Sequence, residues 1–138
     1  MNETRWPPHE IKLLLLDVDG TLTDGGLYFT GEGQAMKRFD VHDGLGLVRL
    51  QRAGVEVVLI SADRSSIIQM RAQKLGIRAV IDGCQDKGQV VRMLLEEREL
   101  KPSAALYMGD DITDLAAMAE AGNSAAPANS LPTVREAA

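Results

Sequence analysis

Three features of the sequence predict an α/β fold with an open parallel sheet flanked by helices. Short apolar runs of strand length recur along the chain, at Leu13–Leu16, Val55–Ile60, Ala79–Ile81 and Ala104–Met108, and runs apolar throughout suit strands covered on both faces. Between them lie segments of helical periodicity, and strands that alternate with helices form parallel sheets with right-handed crossovers. Polar residues then mark the end of each run: Asp17 and Asp19 after the first, Ser61 after the second, Asp110 and Asp111 after the fourth, with Lys87 opening the helix after the third.

Taken in order, residues 1 to 10 carry Trp6-Pro7-Pro8, which continues neither a helix nor a central strand and predicts an arm leading into the first strand. The four leucines stop at Asp17, in the stretch KLLLLDVDGTLTDGG from Lys12 to Gly26. Gly25 to Asp40 predicts a β-hairpin, with Leu27-Tyr28-Phe29 going out, Thr30-Gly31-Glu32-Gly33 turning and Ala35 to Phe39 returning. A two-stranded hairpin is marginal alone, and in so short a chain the surface it lies on is expected to be another subunit. Asp43 is expected to cap a helix through Leu47, Val48 and Leu50 that stops at Gly54; His42 reads as an ordinary hydrogen-bonded turn residue. A helix over Ser65 to Leu75 ends at Gly76, and Asp86 caps another that begins at Lys87 and buries Val90, Val91, Leu94 and Leu95. After the fourth strand come a helix from Asp111 to Ala121, a short strand at Ser124 to Ala126 and a helical fragment from Ser130-Leu131-Pro132. The sum is an open Rossmann-like sheet with a hairpin inserted after the first strand.

The 138 residues have the size of a single domain, expected over 1–138. Fifteen Lys and Arg against twenty Asp and Glu give a net charge of −5, so nucleic acid and anionic membrane are poor partners and an anionic substrate must be met by local charges and a metal. No apolar stretch approaches the roughly 20 residues of a membrane-spanning helix, and the first ten residues do not read as a secretion signal. The single cysteine, Cys84, cannot form an internal disulfide. A reduced cytoplasmic setting is the expectation.

Asp17, Asp19 and Asp24 crowd the exit of a buried strand, where like charges raise each other's pKa or demand a cation and where open α/β sheets bind ligands. Singly, Asp-x-Asp-Gly is a turn, Ser61 a turn residue, Lys87 a surface lysine and Gly109-Asp110-Asp111 a loop. A parallel sheet brings all four to one edge. In order and spacing they resemble the four motifs of the haloacid dehalogenase superfamily of aspartate-nucleophile phosphatases. The resemblance implies that Asp17 is the nucleophile, Asp19 the general acid and base, Ser61 a donor to phosphoryl oxygens and Lys87 their charge partner. It places Asp17, Asp110 and the backbone carbonyl of Asp19 around a magnesium ion, with Asp111 and Asp114 in support. Residues of these types are what the chemistry needs. A carboxylate nucleophile divides the reaction through an aspartyl-phosphate, a hard cation removes the repulsion between two anions, and fixed positive charge and donors stabilise the equatorial oxygens.

Only the hairpin and one helix separate Asp24 from Ser61, so no cap domain fits. The hairpin, Lys37-Arg38-Phe39-Asp40-Val41 and Asp43-Gly44-Leu45-Gly46 resemble the capless group typified by 3-deoxy-D-manno-octulosonate 8-phosphate phosphatase. That group implies a homotetramer built on its hairpins, a phosphorylated sugar acid as substrate, a place in lipopolysaccharide biosynthesis, and substrate contacts at Ala62, Asp63, Arg64 and Gly44. It also implies a Gly-rich tail beyond the position of Ala138. Where that group has Thr-Gly-Arg, this chain has Ser61-Ala62-Asp63, closer to the related nonulosonate 9-phosphate phosphatases. A phospho-accepting receiver domain is the non-enzymatic alternative. Receivers, however, put the acidic pair after the first strand and the phosphorylated Asp after the third, the reverse of this arrangement.

Overall fold

The computed structural model describes residues 10–138; the predicted arm and Trp6 lie, but for Glu10, outside the described residues. A five-stranded sheet runs in the order β5-β4-β1-β6-β7, with β1 at Leu13–Leu16, β4 at Glu56–Ile60, β5 at Ala79–Ile81, β6 at Ala105–Met108 and β7 at Asn123–Ala125. Every pairing is parallel. The fifth strand sits one residue earlier than the sequence predicts, because Asn123 pairs with Leu106.

The leucine run shows why β1 is central. Leu13 and Leu15 face one core layer with Val58, Ile60, Val91 and Tyr107; Leu14 and Leu16 face the other with Val57, Leu59, Ile68 and Ala72. Alternation across the pleat thus buries both sides, and each leucine so covered contributes about 1.5–3 kcal/mol. Helices α1 (Val41–Arg52) and α2 (Ser66–Leu75) cover one face through Leu47, Ile68 and Ala72. The other face is covered by α3 (Lys87–Glu97), α4 (Leu115–Glu120) and α5 (Pro132–Ala137), through Val91, Leu94, Ala117, Met118 and Val134. Among the described residues no helix is long and apolar enough to cross a membrane.

The predicted hairpin forms, with β2 (Tyr28–Thr30) antiparallel to β3 (Gly33–Met36) as a separate two-stranded sheet. An isolated bridge from Thr23 to Phe39 closes its base, and Leu27, Tyr28, Phe29 and Met36 stay exposed. Two helix starts differ from the sequence reading. The cap of α1 is Asp40, whose carboxylate accepts from the His42 backbone N–H at 2.7 Å; Asp43 and His42 lie in the helix's first turn. Residues 112–114 form a 3-10 turn ahead of α4, capped by Asp111, because Asp114 folds back to bond the loop.

Candidate active site

Each strand end delivers its polar residue to the carboxyl edge of the sheet. Asp17 continues β1 by donating its N–H to the Met108 carbonyl at 3.0 Å, and Ser61 continues β4 by donating to Ile81 at 2.8 Å. Lys87 is the first residue of α3, fixed by its neighbour Asp86, which accepts from the Gln89 N–H. Its stem lies buried, and its Nζ donates to Asp17 Oδ1 at 2.8 Å and to Asp114 Oδ1 at 2.7 Å.

Asp17, Asp110 and Asp114 offer carboxylate oxygens that all lie within 4.8 Å of one another. Asp114 is fully buried and already saturated: Oδ1 accepts from Lys87 and from the Tyr107 hydroxyl at 2.6 Å, Oδ2 from the backbone N–H groups of Asp110 and Asp111, both at 3.1 Å. With four donors it shapes the Asp110 loop, and a cation falls to Asp17 and Asp110. Thr21 stands between those two, its Oγ1 at 3.4 Å from Asp17 Oδ2 and 3.2 Å from Asp110 Oδ1. Gly20 has a φ of +88°, and a Cβ there would run into the Asp110 carboxylate. The chain has kept that space open for oxygen atoms.

Burial pushes the Asp17 carboxyl up to about 8, against the lowering effect of Lys87. For Lys87 burial pulls downward, but Asp17 and Asp114 outweigh it and the net direction is up. One ammonium, bonded to Asp17 and Asp114, stands among three clustered carboxylates, which leaves the cluster short of positive charge. An all-oxygen set with that deficit suits a hard cation such as magnesium.

Ser61 is 2% exposed and its Oγ accepts from the Asp63 N–H at 3.1 Å, which leaves its own proton to donate. Asp19 Oδ1 accepts from Lys37 Nζ at 2.7 Å, and Lys37 reaches Asp63 Oδ2 at 3.3 Å. Asp63 also accepts from Gln34 Nε2 at 2.8 Å, so the hairpin neutralises it. Beside them opens a cavity of about 360 Å³ lined in part by Phe29, Gln34, Asp63 and Arg64; Arg64 lies against Gly83, which has no side chain to displace it, and Ala62 is exposed nearby in sequence. Buried Gln34 Oε1 lacks a donor among the described residues. A larger cavity of about 500 Å³, by Gln51, Gly54 and Arg78, lies toward the opposite edge and includes none of the three clustered carboxylates.

The structure thus brings Asp17, Lys87, Asp110 and Asp114 together, with Asp19 and Asp63 joined through Lys37. It keeps Gly44 elsewhere, in α1, where the missing Cβ leaves room for Arg71 and Leu75. Asp111 caps its turn at the surface, and Asp24 accepts from the Gly26 N–H at 2.9 Å. Sequence reasoning missed Lys37, Thr21 and Tyr107 as members of the site. For Tyr107 the signal was present: a tyrosine in a buried strand needs an acceptor, and Asp114 lies seven residues on.

Fold and site define a class, an open parallel α/β domain whose central strand ends in a carboxylate paired with a buried lysine. A family model for haloacid dehalogenase-like hydrolases matches residues 41–122, and the chain belongs to that family. It is 36% identical over 122 residues, 88% of its own length, to a 3-deoxy-D-manno-octulosonate 8-phosphate phosphatase of Yersinia pestis, and spans 65% of that relative. The corresponding phosphatase of Haemophilus influenzae, solved in a cobalt-bound form, matches with a TM-score of 0.90 at 36% identity, over 94% of this chain and 76% of that one. The enzyme of Moraxella catarrhalis, solved with a magnesium ion, a phosphate ion and a KDO molecule, matches with a TM-score of 0.90 at 36% identity, over 95% of this chain and 75% of that one.

Proposed function

We propose that the chain is a magnesium-dependent phosphatase that hydrolyses a sugar-acid phosphate monoester, 3-deoxy-D-manno-octulosonate 8-phosphate foremost, through an aspartyl-phosphate on Asp17. The observation that carries this reading is the Asp17–Lys87 pair, a buried carboxylate held at 2.8 Å by an ammonium at the ligand-binding edge of a parallel sheet.

In this reading Asp17 Oδ2, the oxygen not held by Lys87, attacks phosphorus, and the leaving alkoxide takes a proton from Asp19. Asp19 then removes a proton from the water that cleaves the aspartyl-phosphate, which returns Asp17 and releases phosphate. Ser61 donates to a phosphoryl oxygen, and Lys87 holds positive charge beside the oxygens that gain electron density. Asp17, Asp110 and the Asp19 carbonyl would hold magnesium, which when bound screens the repulsion between carboxylate and phosphate.

The cavity of about 360 Å³ takes the leaving group. Its cation, Arg64, stands one residue beyond the anionic Asp63, suited to a substrate carboxylate. A nonulosonate 9-phosphate is the second reading, favoured by the acidic Asp63 at the cavity wall. The same proposal includes a single domain over residues 1–138, cytoplasmic work in lipopolysaccharide biosynthesis, and a homotetramer that covers the exposed hairpin residues Leu27, Tyr28, Phe29 and Met36.

Phosphate release from phosphorylated sugars and sugar acids, measured with and without magnesium, tests the activity. Asp17→Asn is expected to abolish release, and turnover at the parental rate would refute the nucleophile. Stable phosphoprotein without turnover would favour a receiver instead. Sedimentation at monomer mass would contradict the tetramer.

A further inference from the structure

We propose that Lys37 is a positioning residue for Asp19, fixing one carboxylate oxygen so that the other carries the proton in both halves of the reaction. The proposal rests on the phosphatase reading above and assigns a task within it to the hairpin.

Lys37 follows β3 by one residue, on an element whose other long side chains are mostly exposed: Phe29 is 65% and Met36 59% exposed. Its own side chain is 0% exposed. Lysines are almost never fully buried unless paired, and taking an ammonium out of water is unfavourable until its partners offset it. A hairpin with so little packing gains nothing from that expense unless the charge is needed where it stands. Both partners belong to the site's margin, Asp19 Oδ1 at 2.7 Å and Asp63 Oδ2 at 3.3 Å.

The geometry is that of a clamp. Residue 37 approaches Asp19 from one strand of the hairpin, while the Thr23–Phe39 bridge ties the chain just beyond each of them. Thr23 in turn accepts from the backbone N–H groups of Gly20 and Gly25 at 3.1 and 3.2 Å, so the loop that carries Asp19 is held at its backbone and at its carboxylate. Gln34 and Lys37 share Asp63 Oδ2, which keeps the ammonium from swinging away. Oδ1 of Asp19 is taken, and among the described residues Oδ2 has no protein donor. Oδ2 is therefore the oxygen that gives its proton to the leaving group and later accepts one from water.

A lysine that merely anchored the hairpin would predict lost stability and an equal loss of turnover on every ester. Positioning predicts a loss that depends on whether the leaving group needs a proton. The test compares kcat and KM of Lys37→Met, Lys37→Arg and Asp63→Asn, with magnesium, on an alkyl ester (3-deoxy-D-manno-octulosonate 8-phosphate) and on p-nitrophenyl phosphate, whose phenolate leaves unassisted. Lys37→Met is expected to lower kcat on the alkyl ester at least about 10-fold, within the roughly 10²–10⁴ that general acid–base catalysis supplies, with a smaller loss on the aryl ester. Lys37→Arg should restore part of it, and Asp63→Asn, which loosens Lys37 without removing it, should show a milder loss of the same selectivity. Equal losses on both esters, or a change confined to KM, would overturn the proposal. Should Lys37→Met not fold, Lys37→Arg and Asp63→Asn decide on the same criterion. A readout apart from turnover is the ¹⁵N signal of the Lys37 ammonium, expected to move in Asp19→Asn. No movement overturns the positioning role; a movement in a protein that hydrolyses neither ester upholds the contact and removes the phosphatase reading instead.

Discussion

Replacing Asp17 by Asn should destroy activity and yet make the metal-free protein more stable. Burial holds the Asp17 carboxyl up at about 8, against an ordinary value of 3.8. Between those two values the folded chain keeps a proton that the unfolded chain has lost, so stability falls as pH rises through that window. At about 1.4 kcal/mol for each pH unit, the loss reaches about 4 kcal/mol by pH 7. Asparagine has the same shape and no charge to bury. The value of about 8 already contains the pull of Lys87, which keeps Asp114 at 2.7 Å when Asp17 is replaced. The assay is thermal unfolding in a chelator, where Asp17→Asn should melt about 10–15 °C above the parent near neutral pH. The gap should close toward about pH 4, where neither form carries the charge, and narrow when magnesium binds the parent alone. A variant that melts below the parent, or a gap that ignores pH, would refute the reasoning.

Lys87→Met leaves two buried carboxylates facing each other and should cost about 3–5 kcal/mol in urea unfolding, with phosphate release lost. Gly20→Ala must adopt a φ of +88° and push against Asp110; it should cost about 1–3 kcal/mol and weaken magnesium binding in calorimetric titration. Asp40→Ala should lower the midpoint of urea unfolding through the lost cap of α1, while Asp43→Ala leaves it nearly unchanged; equal losses would place the cap wrongly.

The sheet was legible because its strands are apolar on both faces, a pattern Leu13–Leu16 displays in four letters. The core of the site was legible because a parallel sheet collects strand ends, so Asp17, Lys87 and Asp110 could be assembled from order alone. The remainder depends on side-chain reach. Asp40 caps α1 in place of Asp43 because the helix begins as the hairpin ends, and two acidic residues three apart both resemble caps. Asp114 reads as an auxiliary acid from spacing, but its four donors make it the hub of the loop. Lys37 had no signal in periodicity, since its hairpin alternates loosely and its partners Asp19 and Asp63 stand 18 and 26 residues away.

The links that complete the site join distant parts of the chain: Asp17 meets Lys87 across 70 residues and Thr21 meets Asp110 across 89. Bringing such ends together loses loop entropy before any contact compensates, and folding is slower where contacts are that remote. No fragment containing only the first strand and its carboxylates can hold Asp17 buried and paired with Lys87. During refolding, therefore, the proposed phosphatase activity should return with the last long-range pairing, after helical signal has recovered, and phosphate release becomes a clock for completion of the native sheet.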